Sequence, residues 1–285
     1  MERKDFKNIV HQAWRMDCEG SNMLKLVGKM GQTKKLAKEW NKRTFGNVFE
    51  QLKKSEQRLQ EIQTDIIDNP DRLRWKTQER LIKQKEQILY SHQTYWRQRA
   101  KTKHMKLTDA NTGYFHKIAT GRRNRNLIRQ ITTEEGLVVT GKENIRREIR
   151  EEFRKRFTIE SKEKENITEY LDKINCEVND SDNEWLTKSI SNKEIQNFIK
   201  SMGNDKAPGP DGMPIEFYKK YWDIVGPLVT KAVKNFFISG KLLRQTNHTF
   251  IALIPKKDNP TTTNHYRPIS LCNTIYKIIA KMISK

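Results

Sequence analysis

The sequence predicts a mostly α-helical chain with minor β structure, and three observations carry that expectation. Seven of its eight prolines fall in the last 78 residues and the other is Pro70, so the chain ahead of Pro208 is free to be helical except at one turn. Val48, Leu52, Leu59, Ile62 and Ile66, with Ser55 in the remaining step, follow an alternating four- and three-residue spacing, the seam of a coiled coil or helical hairpin. Only 35% of residues are hydrophobic and 32% are charged, against an ordinary share of about 45–50% and about 25%. A single core filling all 285 residues is therefore not expected. Eleven Phe, eight Tyr and six Trp argue equally against wholesale disorder.

Asn69-Pro70-Asp71 should end the first seam helix, because proline offers no amide hydrogen and clashes with the preceding turn. The next helix carries Ile82, Leu89 and Trp96 beside Leu81, Ile88 and Tyr95. The two helices, over residues 48–96, predict an antiparallel hairpin, with dimerisation through the same stripe as the alternative. Further on, Leu127 to Thr132 and Leu137 to Thr140 around Glu134-Glu135-Gly136 read as a β-hairpin. Thr140-Gly-Lys-Glu143 fits a capping box opening a helix to Phe157, with Ile145, Ile149, Phe153 and Phe157 on one face. Glu160 to Asn183 is polar and reads as a linker with a short helix inside. Ser191-Asn-Lys-Glu194 is a second capping box, ahead of Ile195, Ile199 and Met202.

Gly203 to Pro214 forms a loop stiffened by Pro208 and Pro210, with helices expected from Ile215 to about Trp222 and from Pro227 to about Ser239. Gly240 stands where a left-handed helix cap belongs. Thr249 to Ile254 reads as a buried strand ended by Pro255.

Charge narrows the function. Lys and Arg number 56 against 35 Asp and Glu, a net charge of +21, which points to a polyanion partner. Nucleic acid and acidic lipid both fit. The opening MERKDFKNIV is no signal peptide, and Gln245 to Pro255, the longest uncharged run of note, is far below the roughly 20 residues a membrane span needs. Cys18, Cys176 and Cys272 are dispersed and odd in number, so they read as reduced thiols of an intracellular protein. His104 and His116 have no ligand-spaced companions and read as ordinary histidines.

The densest basic stretch is Arg97 to Arg129, with ten Lys and Arg against one acid, Asp109. Arg97, Arg99, Lys101, Lys103, Arg122, Arg123, Arg125 and Arg129 could pair phosphates while Tyr114 and Phe115 stack on bases, as in RNA and single-strand binders. A solvated helix face followed by a loop is the competing reading.

The most specific wording lies near the end. Lys206-Ala-Pro-Gly-Pro-Asp-Gly-Met-Pro-Ile-Glu-Phe-Tyr218, Leu253-Ile-Pro-Lys-Lys257 and His265-Tyr-Arg-Pro-Ile-Ser-Leu-Cys-Asn-Thr-Ile-Tyr-Lys-Ile-Ile-Ala-Lys281 follow one another in that order. Together they resemble the reverse transcriptase of non-LTR (LINE-type) retrotransposons, plant elements especially. Trp40 to Asn47 resembles the segment after the endonuclease in those polyproteins. Trp96-Arg-Gln-Arg99 and Asp109 to His116 resemble their connector, although Leu107-Thr108 and Ala110 depart from the usual wording.

The resemblance implies RNA-directed DNA synthesis and a helical hairpin and connector followed by an incomplete α+β right-hand fingers region. It divides the chain into a tail after the endonuclease (1–47), the hairpin (48–96), a basic connector (97–183) and the amino-terminal part of the polymerase (184–285). It implies that Lys256 and Arg267 grip the incoming triphosphate and that Lys206 and the loop at Gly209 touch the template, with Lys257 adding charge. The nucleic-acid partners would be an RNA template and DNA, in the nucleus or cytoplasm with the nucleus favoured. The intact polymerase would use Mg²⁺, held by palm carboxylates. No Asp-Asp pair occurs here, and Asp258 is the one acid from Ile224 on. The expectation is thus a fragment that binds no cofactor, places no catalytic residue and needs its missing palm for synthesis. Asp205 and Asp211 read as turn residues, not ligands. A stand-alone basic RNA- or DNA-binding module and a degenerate reading frame stay open as alternatives.

Overall fold

The computed structural model describes residues 4–44, 46, 48–100, 112–158 and 178–284. The predicted linker, apart from residues 178–183, lies outside the described residues, as do Cys176, His104, Lys101 and Lys103. The architecture is mostly helical with two small antiparallel sheets, as the sequence predicts. Two compact units are formed, Ala37–Leu127 and the combination of Met1–Leu36 with Ile128–Lys285. None of the described helices is long and apolar enough to cross a membrane.

The unit Ala37–Leu127 is built on the predicted hairpin. Helix α3 (Val48–Asp68) and helix α4 (Arg72–Ala100) pack on each other, joined through Pro70. Leu52, Ser55, Leu59, Ile62 and Ile66 are the buried or half-buried side of α3, so the four-three seam is the packing face. On α4 the matching side is Leu81, Lys85, Ile88 and His92, whereas Ile82 and Tyr90 are exposed. A single antiparallel partner covers one stripe, and the phase of Leu81 and Ile88 takes it. Lys85 fits the seam by laying down its stem and pairing with Glu56 of α3 at 3.2 Å. Asn69 donates to the Asp65 carbonyl and Trp75 to that of Asp71, so the helices are closed off on either side of the proline. Helix α5 (Thr112–Arg125) packs on α4.

In the other unit, helix α1 (Lys4–Arg15) buries Phe6, Val10 and Ala13 at helical spacing. Helix α2 (Asn22–Thr44) begins in this unit and buries Met23, Leu26, Met30 and Thr33. Lys29 of α2 donates to the carbonyls of Trp14 and of Met16, the latter at 2.6 Å, satisfying acceptors that the end of α1 leaves open.

Strands β1 (Gln130–Thr132) and β2 (Val138–Thr140) form the predicted hairpin, with Ile131 opposite Val139 and Gly136 at φ 83° in the turn. Helix α6 (Lys142–Phe157) follows. Its predicted capping box is not formed: Gly141, at φ 82°, is the N-cap and no side chain caps the helix. Because the helix starts one residue later than expected, Thr140 lies ahead of the N-cap; its carbonyl accepts from Asn144 Nδ2 at 3.3 Å, and the Gly141 carbonyl accepts from the Ile145 amide at 2.9 Å. Ile145 and Phe153 are buried, and Phe157 is exposed with its ring stacked on Phe153.

Helix α7 (Asp180–Thr187) has an Asn179 capping box, and helix α8 (Asn192–Ser201) is capped by Ser191 Oγ as predicted, accepting from the Glu194 amide at 3.1 Å. Helices α9 (Ile215–Lys220) and α10 (Trp222–Ser239) meet at Tyr221. Pro227 therefore lies inside α10, whose start the sequence had placed at the proline itself. Burial of Val225, Val229, Ala232 and Val233 offsets the lost hydrogen bond, and Gly226 leaves room for the Trp222 indole, which a Cβ would meet at 2.7 Å. Gly240 caps α10 at φ 66°. Phe6 and Trp14 of α1 lie against Tyr221 and Phe217, with ring centroids 5.8 and 6.3 Å apart.

After helix α11 (Arg244–Asn247), strands β3 (Thr249–Pro255) and β4 (Tyr266–Cys272) pair antiparallel, and helix α12 (Thr274–Ile283) buries Ile275, Ile278, Ile279 and Met282. One expectation is corrected here. β3 is not a buried strand: Phe250 is 59% and Ile254 38% exposed, because β4 is its one strand partner among the described residues. Tyr266-Arg267-Pro268 opens β4, and an edge strand tolerates the amide that Pro268 lacks.

Candidate nucleic-acid interface

The basic stretch falls on two different bodies. Arg97, Arg99, Tyr114, Phe115, Arg122, Arg123 and Arg125 belong to the unit of the hairpin, whereas Arg129 stands just ahead of β1 in the other unit. Within the hairpin unit, α4 and α5 are locked by an aromatic contact. Trp96 Nε1 donates to His92 Nε2 at 2.9 Å, and the Trp96 and His116 rings lie 4.4 Å apart. His92 must accept at that nitrogen. Burial, with the nearby His116 charge, holds its pKa below the usual imidazole range.

This contact decides which aromatic is available. Phe115 is 5% exposed and serves as packing, whereas Tyr114 is 46% exposed with its ring edge-on to Phe115. Arg122 Nη1 donates to the Ala100 carbonyl, which anchors α5 to the end of α4. Arg123 and Arg125 are exposed in the last turn of α5, a helix without a single acid, where the helix dipole favours cations. Arg99 lies over the Tyr95 ring, 4.3 Å from its centroid. Tyr95 is exposed and the sequence reading placed it in the seam; its spacing of four from Arg99 was the available signal.

In the other unit, the Gly203–Pro214 loop is held from several sides. Lys277 donates to the Ala207 carbonyl at 3.0 Å and Lys34 to that of Pro210 at 2.7 Å. Gly209 touches the start of α12 so closely that a Cβ would stand 2.4 Å from the Asn273 nitrogen. Asn273 is the hub, a residue the sequence reading passed over inside its own motif. Its Nδ2 faces the carbonyls of Gln245, Thr246 and His248 at 3.1, 2.9 and 3.4 Å, and its Oδ1 accepts from the Asp211 amide at 2.9 Å. Lys206 is exposed on this loop.

Asp211 is engaged in the same network. Its carboxylate accepts from the Met213 amide at 3.1 Å. Burial raises its pKa above the usual aspartate range, opposed by the amides of Met213 and Thr274 and by Lys34 and Lys277. The residues do not fit a Mg²⁺ site: among those described, no three His, Cys, Asp or Glu side chains gather where they could hold a metal ion.

The β3–β4 register brings together what the sequence separates. Ile254 stands opposite Arg267, and Lys256 donates its amide to the His265 carbonyl. Lys256 stands directly after β3, so it and Arg267, the second residue of β4, lie at the same end of the ribbon. Lys256 Nζ donates to the Asn264 carbonyl at 2.8 Å. His265 Nδ1 accepts from the amides of Thr261 and Thr262 at 3.1 and 3.2 Å. Lost hydration and the charges of Lys257 and Lys256 hold its pKa down.

No protein-family model matches the chain. A curated relative is the transposon TX1 uncharacterized 149 kDa protein of Xenopus laevis, 29% identical over 176 residues. The match takes in 62% of this chain and 13% of that protein, so the chain corresponds to a small part of its length. By sequence, then, this chain is similar to a transposon protein.

Proposed function

We propose that the chain is the connector and amino-terminal fingers part of a LINE-type retrotransposon reverse transcriptase, handling RNA template and DNA through its phosphates. The observation that carries this is that Lys256 and Arg267, eleven apart in sequence, lie at the same end of the β3–β4 ribbon. A compact ammonium and a planar guanidinium brought together in this way suit successive phosphates of one triphosphate. Similarity to a transposon protein supports the same reading, as do the motifs in their order. The exposed arginines of α5 beside Tyr114 add a sequence-independent grip on a single strand. In this reading the nucleus is the place of action, and self-association through the hairpin is not needed, since α3 and α4 cover each other's seams.

The chemistry itself lies with carboxylates that these 285 residues lack as a pair. The chain by itself should therefore bind but not extend a primer. The test is binding of single-stranded RNA against salt. Each phosphate contact contributes about 0.7 to the log–log slope on single strands, so Arg123→Ala with Arg125→Ala should flatten it by roughly 1.4. Arg122 is left intact because it also anchors α5. An unchanged slope moves the grip away from α5, and no binding at low salt removes the proposed function.

A further inference from the structure

The loop that joins Lys256 to Arg267 is braced from outside by a residue 100 positions earlier. Arg156 stands in the last turn of α6. Its Nε and Nη2 both donate to Glu152 Oε1, at 2.9 and 2.7 Å, and its guanidinium lies 5.5 Å from the Phe153 ring centroid. Glu152 is mostly covered, with its side chain 15% exposed. The fork is thus oriented before it reaches across. From there Nη2 donates to Thr263 Oγ1 at 3.1 Å and to Asn264 Oδ1 at 2.6 Å. The Asn264 carbonyl is the acceptor for Lys256 Nζ, and β1 adds a second brace, the Thr132 amide donating to the Thr261 carbonyl at 2.7 Å.

We infer that Arg156 is a positioning residue for the Lys256–Arg267 pair: through Asn264 it sets where the Lys256 ammonium stands, and so the affinity for a triphosphate. This rests on the reading of that pair as a triphosphate site. The physical argument is one of pre-organisation. The loop over residues 258–262 carries Asp258, Asn259 and Pro260 and forms no strand, so its geometry depends on what holds it. A lysine stem has four rotatable bonds, and fixing its acceptor removes freedom that binding would otherwise have to remove. A lysine at 156 could not replace the arginine, because one ammonium cannot present the same planar set of donors to Glu152, Thr263 and Asn264.

The experiment uses the whole chain and a fluorescent deoxynucleoside triphosphate, with inorganic tripolyphosphate as competitor. Arg156→Gln and Arg156→Lys should each weaken binding about tenfold, the scale of one hydrogen bond to a charged group. Amide exchange over residues 261–265 should quicken in both. Asn264→Ala removes the acceptor from the loop side, leaves α6 untouched, and should match them, which keeps the test decisive if an Arg156 variant folds poorly. The discriminating readout is a double-mutant cycle. In a Lys256→Ala background, Arg156→Gln should change binding less than twofold, since its route of action is gone. Full additivity, or unaltered binding in the Arg156 and Asn264 variants, overturns the inference while leaving the triphosphate site standing. Binding by the parent chain that ignores Lys256→Ala and Arg267→Ala overturns the site itself, and the positioning role with it.

Discussion

Asn273 offers the sharpest test of how the Gly203–Pro214 loop is held against the start of α12. The side chain is 4% exposed, and its two N–H groups serve three carbonyls while its oxygen receives the Asp211 amide. Asn273→Ala removes about three hydrogen bonds' worth of interaction, at about 1 kcal/mol each, and leaves the carbonyl of Thr246 and the amide of Asp211 without their partner. A total near 3–5 kcal/mol follows. For a unit of this size each kcal/mol lowers the midpoint by about 2–4 °C, so a fall of roughly 6–12 °C is the least expected. Asn273→Asp is the informative companion. It keeps the shape and the acceptor for Asp211, but its carboxylate oxygen would face the three carbonyls, so it should be the worse variant at neutral pH. The assay is urea unfolding followed by tryptophan fluorescence, with amide exchange at Asp211 as the local readout. A loss below about 1 kcal/mol for Asn273→Ala would refute the hub, since the three carbonyls would then be finding equivalent partners elsewhere.

Three further outcomes follow from the same geometry. Gly209→Ala places a methyl 2.4 Å from the Asn273 nitrogen and 2.5 Å from the Cys272 carbonyl carbon; backbone cannot yield as a side chain does, so about 1–3 kcal/mol or more of stability should be lost in urea. Asp211 has a folded pKa above the usual 3.8, so the folded state holds its proton to higher pH than the unfolded chain does. Its contribution is present in full below 3.8 and is lost as pH rises through the raised value, so the parent should weaken relative to Asp211→Asn over that window, and parallel pH profiles of the two would count against the burial. Tyr114→Ala should lower single-strand affinity at constant salt slope with little change in stability, while Phe115→Ala should cost about 3–5 kcal/mol of stability, measured by circular dichroism and fluorescence anisotropy on the same samples. The reverse pattern would place the stacking face on the other side of α5.

Much of the local structure was legible in residue order because its causes are local. The seam from Leu52 to Ile66 needs only the helical period, the break at Pro70 only a missing amide, and the Gly240 cap only a glycine free to take a positive φ. Ser191 caps α8 through a contact three residues away, well within reach of a sequence pattern. Local rules failed where the decision was made by a distant neighbour. Thr249 to Pro255 reads as a strand on its own residues, yet its exposure depends on how many strands pair with it. Which of Tyr114 and Phe115 faces solvent depends on how α5 lies against Trp96, and periodicity could not choose between adjacent rings.

What the sequence by itself determined is the chemistry available: a +21 chain, a basic aromatic stretch, a helical hairpin, and the Lys256 and Arg267 that its motifs single out. Only the tertiary structure decided how these are placed. The β3–β4 pairing brings Lys256 and Arg267 to the same end of one ribbon, Arg156 reaches a loop 107 residues onward, and Lys7 of α1 meets Asp223 at 2.9 Å across 216 residues. The physical reason is common to all three. A pairing between distant residues is set by the packing of the elements that carry them, and no spacing in the chain encodes it until those elements meet.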